Sequence, residues 1–173
     1  MKQIPLTKGY FAQVDDEDFT KVNQFKWYAS RGKKDPTFYA ERGKRVNGKI
    51  SIILLHRFVM GLTDPKIQVD HEDHDGLNCQ KYNLRPATPS QNQGNRGKTI
   101  RNTSGYKGVS WHRATGKWAA KIRHLQKDIW GGLFDIPTDA AHRYDELAIE
   151  LFGEFALTNA NLGLLAGNEA LSK

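Results

Sequence analysis

Between Gln68 and Asn92 the chain reads Q-V-D-H-E-D-H-D-G-L-N-C-Q-K-Y-N-L-R-P-A-T-P-S-Q-N, and this stretch constrains the fold more than any other. Ile67 to Val69 reads as a short strand with Asp70 and His71 at its end. Asp73-His74-Asp75-Gly76 is a turn-rich loop that returns the chain to Asn83-Leu84-Arg85. Thr88-Pro89-Ser90-Gln91 is a helix start: Thr at the N-cap, Pro at the first helical position, and Gln three residues after the cap. A strand, a loop, a returning strand and a helix therefore follow one another with almost no spare chain.

Strand alternation sends the side chains of Asp70 and His71 to opposite sides. With a phosphate between them, one flank can carry a metal and the other an activated water. Asn92 falls in the first turns of the helix, where its amide oxygen is a hard, neutral partner for the Asp70 carboxylate. One carboxylate, one carbonyl oxygen and several waters suit Mg2+ or Mn2+ better than zinc. Cys79 is the single cysteine, so neither a disulfide framework nor a structural zinc is expected.

These residues, D-H…N-L-R…N with His56-Arg57 before them and Gln91-Asn92 after, resemble the HNH (ββα-metal) nuclease motif. The resemblance covers about residues 56–95. It is closest to the variant of phage and intron-borne homing endonucleases in which the last His is an Asn. It implies Asp70 as metal ligand and His71 as the general base that deprotonates the attacking water. Asn83 would tie the loop and hold His71, and Asn92 would be the second ligand. Asp73, His74 and Asp75 read as loop residues, with Asp75 in reach of a metal-bound water. His56 reads either as a contact to the scissile region or as structural. Arg57 and Arg85 read either as phosphate contacts or as surface charges, and Cys79 as a small loop residue.

Ahead of the motif, Lys8 to Val14 reads as a first strand, and Asp15 to Asp18 suit the N-terminus of a short helix through Phe25. Strand-like runs follow at Trp27 to Ala29, Thr37 to Ala40 and Ile50 to Leu55. Asp35-Pro36 and Asn47-Gly48 mark turns, the second a strong hairpin signal. His56 to Met60 is a brief helix stopped at Gly61.

Net charge is +7, from 26 Lys+Arg against 19 Asp+Glu, and its placement is uneven. From Asn92 to Gly131 every charged residue except Asp128 is basic, whereas beyond Gly132 acids dominate. Residues 93–104 read as a basic linker, with Arg96, Lys98 and Arg101 able to track a phosphate backbone or simply to solvate a tether. Tyr106 to Trp111, Trp118 to Arg123 and Ile129 to Phe134 read as three strands, the last interrupted by Gly131-Gly132, a candidate bulge. Pro137 to Phe152 is an amphipathic helix with Gly153 as stop. On the second strand Trp118, Ala120 and Ile122 alternate with Ala119, Lys121 and Arg123, giving one apolar and one basic face. The tail from Ala160 reads as frayed.

The run from S-G-Y-K-G-V-S-W through A-L-T-N resembles the plant ethylene-response-factor (AP-two) DNA-binding domain over about residues 104–159. That family lays a three-stranded sheet in the major groove. Lys107, Arg123 and Trp130 match its DNA-contacting positions, with His112, Arg113 and Lys117 as further candidates at the first hairpin. Lys121 stands where a Glu is usual and Ser110 where an Arg is usual, so the plant sequence preference does not transfer.

The expected architecture is α+β. A ββα-metal HNH nuclease core with an antiparallel β-rich N-terminal extension occupies 1–95, a basic linker 96–104, a three-stranded sheet on one helix 105–159, and a tail 160–173. The expected activity is site-directed, metal-dependent hydrolysis of double-stranded DNA, and the rival is a DNA-binding protein with a non-cleaving HNH scaffold. One active site per chain fits a nick by a monomer, or a homodimer if both strands are cut. The first residues lack an apolar leader and no run reaches membrane-spanning length, so a soluble, cytoplasmic and non-secreted protein is expected.

Overall fold

The computed structural model describes residues 1–32, 37–99 and 101–165. The Asp35-Pro36 turn and the end of the tail lie outside them. The chain divides into two compact units, Met1–Thr88 and Pro89–Lys173.

The first unit opens with β1 (Lys2–Pro5) paired antiparallel to β2 (Phe11–Val14). The sequence led to one strand over Lys8 to Val14. Lys8 (φ 61) and Gly9 (φ 76) instead make the connecting turn, and K-Q-I-P is recruited as a strand through one inward residue, Ile4 (1% exposed). Three acids fill the first turn of α1 (Asp16–Val22), where they favour the helix dipole. The short β3 (Tyr28–Ser30), the long β4 (Tyr39–Val46) and β5 (Lys49–Leu54) form an antiparallel sheet. Asn47 and Gly48, both at positive φ, make the two-residue turn between β4 and β5 that fits strand twist. The short helix α2 (Leu55–Val59) follows at once.

The central pair is β6 (Gln68–His71) and β7 (Leu84–Ala87), antiparallel, with Asp70 opposite Arg85 and His71 opposite Leu84. Asp70 and His71 are the last two residues of β6, at the end of the strand as expected. Ile4, Ala12, Val14, Val22, Trp27, Ala40, Leu55, Val59, Val69, Cys79 and Leu84 pack into one core. Cys79 is therefore a core residue; its amide donates to Gln13 O while Gln13 N donates to Leu77 O, which fastens the loop between β6 and β7 to β2.

The second unit begins with α3 (Pro89–Gly94) and contains β8 (Val109–His112), β9 (Lys117–His124) and β10 (Lys127–Phe134) in the order β10-β9-β8, all antiparallel. The first of these strands starts later than its apolar pattern suggests. Gly105 and Gly108 hold positive φ, and the Tyr144 ring lies where a Cβ on Gly108 would stand. The register shifts between Trp130 and Gly132, so the expected bulge is present. Its reason is space, since a Cβ on Gly131 would sit 2.9 Å from that of Ala120 and 3.1 Å from Leu147 Cδ1. Helix α4 (Pro137–Phe152) buries Ala140, Ala141, Tyr144, Leu147 and Ala148 and shares a core with Val109 and Ala120.

Beyond α4 the chain does not fray at Ala160. Leu164 N donates to Asn159 O, and Leu165 packs on the second core. The whole is mixed α and β, built from several small antiparallel sheets and few helices. Among the described residues no helix is long and apolar enough to cross a membrane.

Candidate active site and nucleic-acid interface

Pairing of β6 with β7 places Arg85 directly across from Asp70. Both Nε (3.2 Å) and Nη2 (2.5 Å) of Arg85 donate to Asp70 Oδ2. The pair is well shielded, with side-chain exposure of 18% for Arg85 and 4% for Asp70. Alternation turns His71 the other way, against the rings of Tyr39 (centroids 5.7 Å apart) and His56 (5.0 Å). Tyr39 also meets His56, at 5.8 Å, so three rings enclose one another. Burial lowers the affinity of His71 for a proton, against the opposing pull of Asp73, Asp70 and Asp75. Burial lowers His56 further, to about 3, with the neighbouring His71 and Arg57 adding to it. Both imidazoles are therefore neutral near pH 7.

Asn83 is 1% exposed and sits at the centre of the loop that follows. Its Oδ1 accepts from Asp73 N (2.9 Å), and its Nδ2 donates to Asp73 Oδ1 (2.8 Å) and Asn78 O (2.9 Å). Its own carbonyl accepts from Glu72 N. Asp73 in turn accepts from Asp75 N and Asn78 Nδ2. His74, at φ 65, is exposed at the loop's outer edge, and its amide donates to His71 O. Gly76 lets the loop pass under Phe38 and Tyr39, because a Cβ there would stand 2.4 Å from Phe38 O.

Arg57 turns out to serve the backbone. Its guanidinium donates to the carbonyls of Ile67, Leu62 and Asp64, fixing the segment that leads into β6. Arg85 likewise belongs to Asp70. Neither pairing follows from composition, although aligning β6 with β7 on paper would have put Arg85 opposite Asp70. The ring contacts of His56 and Tyr39 leave no local sequence signal.

Among the described residues no group of three or more His, Cys, Asp or Glu is placed to hold a metal ion. The donors nearest the chemistry are oxygens. The Asp70 carboxylate is the kind of donor that suits a hard cation carried largely by water. Arg85 already supplies its positive charge, so a cation there competes with the guanidinium. Asn92 is half-buried on α3, in the second unit.

In the second unit, register puts Ser110, His112, Lys117, Ala119, Lys121, Arg123, Asp128 and Trp130 on one face of the sheet. Trp130 is 53% exposed there, and its ring lies 5.9 Å from that of His112. Its side is settled by register with Lys121. Lys121 pairs with Asp128 at 2.8 Å and Lys117 with Asp135 at 3.1 Å, both in solvent; such pairs are weak and easily exchanged for phosphate. Arg113 is exposed at the first hairpin.

Lys107 departs from the expected DNA contact. It is 7% exposed, and its ammonium donates to the carbonyls of Gly94 and Leu157, each at 2.8 Å. Burial lowers its affinity for a proton to about 8, with Asp145 pulling the other way. Its role is to tie the chain on both sides of the sheet. Arg96, Lys98 and Arg101 are exposed and line, with Lys121 and Arg123, a groove of about 520 Å3. The linker cations and the sheet cations thus share one concavity.

No family model matches the chain. It is 34% identical to an uncharacterised HNH endonuclease of Acanthamoeba polyphaga mimivirus over 159 residues, 88% of the chain and 76% of that protein. An H-N-H endonuclease of Escherichia phage T5 is 36% identical over 56 residues, 28% of the chain and 29% of the phage protein. An ethylene-responsive transcription factor of Arabidopsis thaliana is 34% identical over 100 residues, 54% of the chain and 60% of the plant protein. The chain belongs to the HNH endonucleases and carries, over part of its length, sequence similar to the plant ethylene-responsive transcription factors.

Proposed function

We propose that the protein is a site-directed DNA endonuclease of the homing type, cutting with one divalent metal, Mg2+ or Mn2+, and His71 as general base. The observation that carries this reading is the buried Asp70–His71 pair, one side chain on a cation and the other a neutral imidazole within a ring cage. Depressed by burial, His71 is unprotonated at pH 7 and can take a proton from an attacking water. Tyr39 and His56 fix its ring, and Asn83 fixes the loop that follows it. Asp70 is the proposed charged ligand, and Asn92, as the resemblance implies, the second oxygen donor. When bound, the ion supplies charge stabilisation at the phosphate and at the departing 3′ oxygen. The products are a 3′ hydroxyl and a 5′ phosphate, with a nick per active site; cutting both strands needs a homodimer.

Double-stranded DNA is the proposed partner of the second unit. Arg113, Lys117, Lys121, Arg123 and Trp130 supply the contact face, and Arg96, Lys98 and Arg101 hold the backbone beside it. A core of ββα-metal type in the cytoplasm of a host cell is part of the same reading. One observation favours the rival: Arg85 already satisfies Asp70, as it would in a scaffold that no longer cuts.

Supercoiled plasmid libraries of host or phage DNA, incubated with Mg2+, test the proposal. Wild type is expected to give nicked circles, and His71→Ala to bind equally but leave them closed. Equal cutting by both removes His71 as the base. Binding without cutting by wild type supports the scaffold.

A further inference from the structure

Helix α3 has no apolar face with which to hold itself in place. Its six residues read P-S-Q-N-Q-G, and its buried residue is Gly94, the last. A helix this short is marginal in water unless tertiary contacts fix it. The contacts that fix its end are made to backbone. Gly94 is pressed against α4, with the site of a Cβ only 2.5 Å from Phe152 Cγ. Its carbonyl accepts from Leu157 N at 3.3 Å and from Lys107 Nζ at 2.8 Å.

A lysine ammonium on the closing carbonyls of a helix stabilises that end, and here the lysine is itself held. Lys107 N donates to Asn159 Oδ1 at 2.6 Å, and Lys107 O accepts from Asn159 Nδ2 at 3.1 Å. Asn159 also donates to Asp145 Oδ1, from N at 2.7 Å and from Nδ2 at 2.9 Å. Asp145 is buried on α4, and its other oxygen accepts from Ala160 N at 2.9 Å. A hydrogen-bonded path therefore runs from α4 through Asn159 and Lys107 to the end of α3, inside the second unit.

Asn92 stands two residues before Gly94. We propose that Lys107 is a positioning residue for Asn92: by closing the end of α3 it fixes the turn of helix that presents the second oxygen donor. The unit that reads DNA then also holds part of the cleavage chemistry, and loosening Lys107 stops cutting while binding persists. The proposal rests on the reading of Asn92 as a metal donor and adds the group that aims it. A cation at Asp70 competes with Arg85, which makes the placement of a second donor weigh more. Groups that orient a ligand set metal affinity or activity by about 10–100-fold.

The test uses the full chain with Lys107→Met, with Gly94→Ala (whose added methyl meets Phe152), with Asn92→Ala, and with Asn92→Ala combined with each of the first two. Duplex affinity, cutting rate in Mg2+ and Mn2+ affinity are measured below the melting transition of every variant. Amide hydrogen exchange is followed at Asn95 and Arg96, which donate to Gln91 O and Gln93 O at the end of α3. Lys107→Met and Gly94→Ala should bind DNA as wild type does and lose about 10–100-fold in Mn2+ affinity and in cutting rate. Exchange at Asn95 and Arg96 should quicken, while Lys121, whose amide donates to Gly108 O, stays protected. In the Asn92→Ala background neither change should slow cutting further, because residues acting as a unit do not add. A lysine with a structural role alone would lower protection throughout the second unit and slow cutting by the same factor with or without Asn92. Either result would overturn the proposal, as would wild-type cutting by folded Lys107→Met and Gly94→Ala. If Lys107→Met does not fold, Gly94→Ala decides. Wild-type cutting and Mn2+ affinity in Asn92→Ala would overturn the underlying reading of Asn92 as well.

Discussion

Arg85 lies directly across the β6–β7 pair from Asp70 and places Nη2 2.5 Å from its Oδ2. The carboxylate proposed to hold a metal is thus neutralised by the fold in advance. The guanidinium offsets the desolvation of the buried carboxylate within the strand pair.

Arg85→Met removes that counter-charge and leaves a buried carboxylate, at a cost of about 3–5 kcal/mol. Mg2+ or Mn2+ at millimolar concentration should restore part of this loss in the variant and move wild type less. The comparison is of denaturant midpoints with metal and with chelator. Adding Asp70→Asn should abolish the metal response; its persistence would place the ion elsewhere.

Asn83→Asp keeps the shape of the side chain but replaces the donating Nδ2 with a carboxylate oxygen that faces two acceptors, Asp73 Oδ1 and Asn78 O. Stability should fall by about 2–3 kcal/mol, and cleavage should fall with it as the loop after His71 loosens. Asn83→Ala, which leaves the same groups unpaired without repulsion, should be milder. Equal stability of both variants and wild type would remove Asn83 as the loop's tie.

Acid should weaken the first unit early. The folded state depresses His56 to about 3 from an ordinary 6.5, so below pH 6.5 the unfolded chain takes up a proton that the folded chain refuses. Stability present above pH 6.5 is lost progressively toward pH 3, and the depressed His71 adds in the same direction. Unfolding followed from pH 7 to pH 5 should show this fall, and His56→Leu should flatten it. A wild-type profile without slope in that window would contradict the burial of these rings.

Lys107→Met should destabilise the second unit by about 1–3 kcal/mol, because the carbonyls of Gly94 and Leu157 lose their shared donor inside the fold. The salt dependence of DNA binding should not change. A variant with an unaltered melt and a shallower salt slope would return Lys107 to the phosphate backbone.

Local chemistry made much of this legible. The Asn47-Gly48 turn, the Gly131-Gly132 bulge, the α4 stripe and the cluster of Asp70, His71 and Asn83 are all written in residues that act on their neighbours. The N-terminal strand escaped notice because Ile4 alone marks its inward face. The long β4 escaped because E-R-G-K-R-V is polar on both faces, and no alternation exists to be read.

By itself the sequence determined the order of elements, the basic character of residues 92–131 and the family to which the chain belongs. Tertiary structure decided what each charge is for. Lys107 and Asn159, 52 residues apart, bind each other's neighbourhood, with Asn159 Oδ1 accepting from Lys107 N at 2.6 Å; that closure buries an ammonium which composition alone would leave on the surface. Arg57 goes to backbone carbonyls and Arg85 to Asp70 for the same reason. A side chain's environment is set by whatever distant segment folds against it, and burial then fixes whether its charge meets solvent, protein or phosphate.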